Sequence, residues 1–392
     1  MSEWKEYKLG EIADVQTGPF GSQLHMSDYQ NEGTPIITVE HLGDNRIIHN
    51  NLPLVGDDDK DRLKKYVLTE GDIVFSRVGS VDRRAYVSSQ EDGWLFSGRC
   101  LRVRPSQQVD AKFLSYYFGL EDFKETIRRI AVGATMPSIN TAILKDITIH
   151  LPPLSDQHHI ASILSSIFDK IGLLRRENIT LEQMAETLFR NWFVENAKEE
   201  WVEAKLEEIL TVKGGTTPST KESCFWNGNI AWSSPRDVTN LNGLYLFETE
   251  KKITQKGLLQ ISSGVLPAGT LLMSSRAPVG VLAFAEIPLA INQGYIAILD
   301  NKGYPKEFIY LWLKANMDLI HSYSNGSTFM EISKSAFKSL DITIPSKEEV
   351  AKFISVVVPY FEKIRTNEIQ IRTLNQTRDV LLPKLMSNEI KL

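Results

Sequence analysis

The chain has only two cysteines among 392 residues, Cys100 and Cys224, far apart and without CxxC spacing. That argues against both a disulfide framework and a thiolate zinc site. Long hydrophobic runs are missing too. The longest, Val279 to Ile291, is interrupted by Glu286 and falls well short of the ~18 residues that span a bilayer. The opening MSEWKEYKLGE has no apolar segment behind a basic start, unlike a secretory signal, so the expectation is a cytoplasmic protein with no membrane partner. Excess positive charge is also lacking, with a formal net charge of −5 and a pI near 5.9. A free-standing DNA-binding domain is usually basic, because phosphate contacts supply much of its affinity. A nucleic-acid role here needs local basic patches or a partner that contributes positive charge. With 42% hydrophobic and 24% charged residues, the chain has the balance of an ordinary globular protein. At about 150 residues per domain its length suggests two or three domains.

Catalytic motifs are sparse. There is no GxxxxGK[ST] phosphate loop, since GGTTPSTK (214–221) is only a Gly-Thr turn, and no [DN]PP[YF], GxSxG, HExxH or kinase set. His158 and His159 are helix neighbours that point apart, a poor metal pair. Glu248, Glu250 and Lys251 resemble the tail of a nuclease ExK motif, a triplet that any charged chain produces by chance. No metal site and no catalytic residue is therefore assigned, and the chain reads as a binder.

What the sequence does have is an internal repeat. WKEYKLGEI (4–12) returns as WVEAKLEEI (201–209), and GATMPSINTAILKDITIHLP (133–152) returns without a gap as GSTFMEISKSAFKSLDITIP (326–345), with six of twenty positions identical. Between them, GDIVFSRVGSV (71–81) and GTLLMSSRAPV (269–279) share a Gly, an apolar strand, then Ser, Arg and a turn. The chain is a degenerate duplication of a unit of nearly 200 residues.

Each half ends in a helical pattern. After LPP (151–153), Ser155 and Asp156 are suitable N-caps. One seam then holds Ile160, Ile167, Leu174, Leu181 and Leu188, and the other Leu164, Ile171, Asn178, Ala185 and Trp192. Five heptads predict a coiled-coil helix of roughly 60 Å. Shifted by 193 residues, the seams become Phe353, Tyr360, Asn367, Leu374 and Leu381, and Val357, Ile364, Ile371, Arg378 and Leu385. Pro359 predicts a kink or late start and Pro383 an end. Two long helices from related halves would most simply pair antiparallel. Asn178 at a seam position either fixes register or sits solvated on a frayed or third-partner face. Ile163, Phe168, Met184 and Phe189 flank the seam, so the helix is expected to meet a third surface.

The globular units read as α+β. Strands are expected at Pro35–Val39, Asp72–Phe75, Leu101–Val103, Leu271–Met273 and Tyr295–Leu299, and amphipathic helical stretches at Asp110–Ile130 and Tyr304–Tyr323. Basic residues cluster around turns: Arg77, Arg83 and Arg84 in the first unit, Arg276 in the second, Arg99, Arg102 and Arg104 along a strand, and Lys60, Arg62, Lys64 and Lys65 as a segment. Arginine suits bidentate contact with guanine, and Ser, Thr, Asn and Gln read base edges or phosphate. For any one arginine, a solvated face with scattered ion pairs is the commoner situation.

Taken together these stretches resemble the specificity subunits of type I restriction–modification systems. LPPLSDQHHIASIL (151–164) and MAETLFRNWFV (184–194) look like that family's junctions into and out of its central helix, and LLPKLMSNEIKL (381–392) is similar to its C-terminal signature. GGTTPSTKESCFWNGNIAWSSPRDV (214–238), LPAGTLLMSSRAPVG (266–280) and AINQGYIAI (290–298) follow its second globular unit. GPFGS (18–22), GDIVFSRVGSV and GATMPSIN (133–140) are the comparable elements of the first.

The resemblance implies an α+β fold with two related target-recognition domains, 1–152 and 198–345. They are joined by two long helices, 153–197 and 346–392, paired as an antiparallel coiled coil with an internal pseudo-twofold. It implies a non-catalytic subunit that reads a split, asymmetric site on double-stranded DNA. Two adenine-methyltransferase subunits dock on it, a pair of restriction/motor subunits can join, and S-adenosylmethionine, ATP and Mg²⁺ belong to those partners. The expected DNA-contacting residues lie in loops beside the matched elements. They are Ser76, Arg77, Ser80, Arg83, Arg84, Thr135 and Ser138 in the first unit, and Ser233, Ser234, Arg236, Ser275, Arg276, Asn292, Gln293 and Thr328 in the second. Trp226, Trp232 and Asp237 are expected to be framework. The competing readings are a DNA-modifying enzyme with a degenerate site around Phe247–Lys252, and a protein-binding adaptor.

Overall fold

The structure is a computed structural model that describes all residues except 1–3, 21–22, 277, 301, 327–329, 388 and 391–392. Contacts divide the chain into two compact units: Met1–Lys170 with Leu374–Leu392, and Ile171–Thr373. The first unit is discontinuous and the second continuous, and each takes part of a central helix, Leu154–Arg190, and part of a distal helix, Lys347–Met386.

In the first unit a four-stranded antiparallel sheet runs Ala13–Thr17, Cys100–Pro105, Ile73–Ser76, Arg84–Tyr86. Beside it, Thr34–Ile37 pairs in parallel with Leu95–Phe96. The strand Lys5–Lys8 closes the unit on Thr148–Leu151. The second unit repeats the plan. Thr211–Lys213, Tyr295–Asp300, Leu271–Ser275 and Val279–Ala285 form the corresponding order, Trp226–Ser233 pairs in parallel with Ala290–Ile291, and Val202–Lys205 closes on Asp341–Ile344. Apolar residues such as Ile73, Phe75 and Val103 are fully buried in one core with Phe113, Leu114 and Ile127 of the neighbouring helices, and such burial is the dominant favourable term in folding.

Most expected elements are present with shifted ends. The strand foreseen at Pro35–Val39 stops at Ile37, and Val39–His41 is a 3-10 turn. The two long amphipathic stretches are each two helices: Ala111–Tyr117 and Glu121–Ile130, then Lys306–Ala315 and Met317–Ser322. Asp110 caps the first of these by accepting the Phe113 N–H at 2.7 Å.

The seams are buried within each unit. Ile160 and Leu164 join the first core with Leu385, and Leu381 packs against it. In the second unit Ile171, Leu174 and Ala185 are buried, as are Phe353, Val357, Ile364 and Ile371. Ile167, Leu181, Leu188, Trp192 and Leu374 are partly buried. Trp192 and Phe189 meet the Phe353 ring at 5.6 and 5.9 Å between centroids, while Asn178 meets Asn367. Within that unit the two helical segments therefore run antiparallel.

The prolines behave differently from the sequence expectation. The distal helix continues through Pro359 and Pro383. A proline removes one i→i−4 hydrogen bond. Around Pro359 that loss is outweighed by Val357 and Phe361, both buried in the core. The flanking residues also divide. Phe189 enters the core and Phe168 stacks on Tyr116 with ring centroids 4.9 Å apart, whereas Ile163 and Met184 stay exposed, as do Leu173 and Ile179.

Candidate nucleic-acid interface

The expected loops converge because three strand ends are tied together. In the second unit, the Asn292 N–H donates to Ser233 O at 3.0 Å and the Ser275 N–H to Gly294 O at 2.8 Å, while Ile332 N–H donates to Ser275 O at 3.0 Å. Arg276 bridges Glu331, which in turn bridges Asn325. Ser233, Ser234, Ser275, Arg276, Asn292 and Gln293 thus sit at one end of the sheets with the segment that precedes Ile332. The first unit repeats this wiring. Ser97 N–H donates to Ile37 O at 2.9 Å, Arg77 N–H to Arg99 O at 2.8 Å, and Ile139 N–H to Arg77 O at 3.0 Å. Val78 bridges Ser138, which bridges Val132. Ser76, Arg77 and Ser80 therefore meet the hairpin that carries Thr135 and Ser138.

The glycine-led motifs explain the close approach. A Cβ on Gly18 would lie 2.2 Å from Ser97 O, and one on Gly215 would lie 1.7 Å from Ile291 O. Only glycine lets these strands reach the parallel pair.

Several expected contact residues turn out to be framework. Arg84 is buried, and its Nε donates to Ser115 O at 3.1 Å. Burial pulls its pKa down to about 10. Ser76 is buried and donates to Val78 O at 2.7 Å. Ser233 is buried against the Tyr295 hydroxyl at 2.9 Å, and the Asn292 side chain accepts from Gly294 N–H at 2.8 Å. Ser275 is also buried. A side chain that is both buried and internally bonded has no edge to offer a base. Arg83 is half-buried and donates to Leu42 O. Along the strand, Arg102 pairs with Asp14 at 2.5 Å and Arg104 with Asp72 at 2.7 Å, so these two arginines hold the sheet together. Thr328 lies outside the described residues.

The residues left facing outward are Ser80, Thr135, Arg236 and Gln293, with Arg77, Ser138, Ser234 and Arg276 half-buried. Ser234 caps a short helix with Asp237, whose Oδ2 accepts the Ser234 N–H at 2.8 Å. Trp232 is buried and meets Trp226 edge-on at 5.1 Å, which fits their framework role. Phe20, Met136 and Thr217, not expected as contacts from the sequence, are also exposed in these loops. The Thr217 hydroxyl donates to Gln293 Oε1 at 2.7 Å. All three lie inside the GPFGS, GATMPSIN and GGTTPS motifs, so the signal was the motif rather than the residue type.

The acids of the would-be nuclease triplet do not converge. Glu248 pairs with Arg372 at 2.7 Å, while Glu250 lies 3.9 Å from Arg236. Among the described residues no group of three or more His, Cys, Asp or Glu is placed to hold a metal ion. Nor, among them, is any helix long and apolar enough to cross a membrane.

A sequence-family model described as the type I restriction modification DNA specificity domain matches residues 1–183 and 198–376. The chain belongs to this family. Both copies of the duplication are therefore specificity domains, each carrying one of the loop clusters described above. The type I restriction enzyme HindI specificity subunit of Haemophilus influenzae is 24% identical across the whole of both chains. The MjaIX specificity subunit of Methanocaldococcus jannaschii is 36% identical over 185 residues, which span 47% of this chain and 43% of that protein. The crystal structure of a type I restriction–modification S subunit from M. genitalium aligns with a TM-score of 0.62 at 18% identity, covering 98% of this chain and 96% of that one. That likeness concerns the fold.

Proposed function

We propose that this chain is the DNA-reading, non-catalytic subunit of a type I restriction–modification complex, and that each unit reads one part of a split DNA sequence through its convergent loops. The observation that carries this reading is the repetition of the same strand-end wiring in both specificity domains. Two like readers suit a site in two parts, and their unlike loop residues suit an asymmetric one. The paired helices act as the ruler for the unspecified spacer. Readers on one face of B-DNA need a separation near one turn, ~34 Å, or a multiple of it.

Partner subunits supply the chemistry. Two adenine-methyltransferase subunits dock one per half, and two restriction/motor subunits can join them. S-adenosylmethionine, ATP and Mg²⁺ bind to those partners. Exposed Leu173, Ile179 and Met184 on the central helix and Val356 and Ile369 on the distal helix supply apolar surface for such docking. The acidic net charge is consistent with other subunits contributing phosphate contacts.

Single-molecule mapping of adenine methylation in host DNA, with the gene present and deleted, tests the proposal. Loss of methylation at one split motif on deletion is expected. A lost motif that is continuous would contradict the two-domain ruler, and an unchanged methylome in cells expressing all subunits would contradict the reader role.

A further inference from the structure

The two loop clusters share their backbone wiring but not their register of side chains. In the sequence, Arg77 and Arg276 look like counterparts. The hydrogen bonds pair Arg77 with Ser275 instead, since Ile139 N–H donates to Arg77 O just as Ile332 N–H donates to Ser275 O. Val78, which bridges Ser138, therefore corresponds to Arg276, which bridges Glu331. One residue of slip moves a side chain to the opposite face of an extended segment.

At the shared position, the first unit has an arginine on an aromatic plate. The Arg77 guanidinium carbon lies 4.4 Å from the centroid of the Phe20 ring, and Phe20 is itself 45% exposed. Arg77 has no carboxylate within ion-pairing distance among the described residues, unlike Arg102, Arg104 and Arg128, which hold Asp14, Asp72 and Asp82. Its Nε is buried without a hydrogen-bond partner. The Gly79 N–H is tied to Pro137 O at 2.8 Å, so the base of this loop is anchored. The second unit has Thr217 and buried Ser275 in these places.

We propose that Arg77, seated over the Phe20 ring, reads a guanine in the half-site of the first unit, with no equivalent arginine contact in the second. This rests on the DNA-reading function above. Stacking fixes the plane of a guanidinium while leaving its N–H edge free. A fixed edge without an acid to neutralise it is the group that bonds guanine O6 and N7 together in the major groove. A guanidinium serving only a phosphate needs no such fixed plane.

The test uses the full chain assembled with its partner subunits, and duplexes carrying its mapped motif with each guanine replaced in turn by 7-deazaguanine. Loss of N7 at one guanine of one half-site is expected to weaken wild-type binding roughly 5- to 100-fold. At that position Arg77→Ala and Arg77→Lys are expected to show no further loss, while Gln293→Ala retains it. Phe20→Leu, a change at an exposed side chain, is expected to shrink the effect and guards against a misfolded Arg77 variant. Three results would overturn the assignment. One is a 7-deazaguanine penalty that persists in both Arg77 variants. Another is no penalty at any guanine in the wild type. The third is an Arg77→Ala loss that is even across sequences with a smaller salt slope, as for a phosphate contact. If the wild-type complex fails to discriminate its motif from a scrambled duplex, the DNA-reading function itself fails, a distinct outcome.

Discussion

Asn367 is completely buried in the second unit, and its side-chain amide donates to Asn178 Oδ1 at 2.8 Å and to Glu177 Oε2 at 2.8 Å. Both asparagines occupy seam positions that otherwise hold apolar residues. The pairing settles which of the two readings of Asn178 applies: the residue meets a polar partner across the helix pair.

A seam asparagine costs stability and specifies alignment. Asn178→Ala should destabilise the second unit by about 1–2 kcal/mol, because it strips a buried donor of one acceptor. Joint replacement of Asn178 and Asn367 by leucine should recover that loss or exceed it, at the expense of a unique register. Denaturant unfolding of the single and double variants checks this. A double variant weaker than both singles would contradict the register role.

Glu368 follows Asn367 on the helix, and its carboxylate accepts the Leu244 and Tyr245 N–H groups at 2.7 and 3.1 Å. Burial raises its pKa from the ordinary carboxylate value to about 7, against the lowering by those two bonds. A folded-state pKa above the unfolded one means that the protonated form is favoured by folding. Its stabilising contribution is complete below about pH 4.5 and is lost as pH rises through about 7. Thermal unfolding between about pH 8 and about pH 6 should therefore show the second unit gaining stability on acidification. That gain should be smaller in Glu368→Gln, and an unchanged dependence would remove Glu368 as its source.

Gly215→Ala should cost on the order of 3 kcal/mol, because the new Cβ would collide with Ile291 O. Gly172→Ala is the control, since its nearest neighbour is the end of the Arg176 side chain at 3.5 Å. It should be neutral or stabilising. Comparable melting temperatures for the two variants would contradict the packing argument.

Leu173 and Met184 are exposed, whereas Leu174 is buried. Leu173→Asp combined with Met184→Asp should leave unfolding nearly unchanged and weaken co-purification of the methyltransferase partner. Leu174→Asp should lower stability by several kcal/mol through an unpaired buried charge. Undiminished partner binding by the first variant would place the docking face elsewhere.

Arg236 is exposed and Arg84 buried. Arg236→Ala is expected to relax or change preference in the half-site of the second unit, read from the methylated motif. Arg84→Ala should destabilise the first unit by roughly 1–3 kcal/mol and leave the motif of the surviving protein unaltered. The opposite pattern of effects would make Arg84 the contact and Arg236 the framework residue.

Much of the architecture was legible because it rests on local and repeated signals. The duplication marked two related units, and the structure builds both on the same plan. Heptad periodicity located the buried seams, since a helix presents every third and fourth residue on one face. Motif glycines marked the loops that meet. These features depend on neighbours in sequence, and the chain by itself determined them.

The contact residues depended on tertiary structure. Arg84 is withdrawn by the Ser115 carbonyl and Ser233 by Tyr295, partners distant in sequence that no local pattern reveals. Phe361 helps hold the distal helix together through Pro359 by burying its side chain in the core. The apparent match of Arg77 with Arg276 fails because strand alternation has period two, so one residue of slip reverses a face. The internal repeat and the heptad periodicity determined that there are two related units on long helices, and tertiary hydrogen bonding decided which loop side chains of each unit stay exposed.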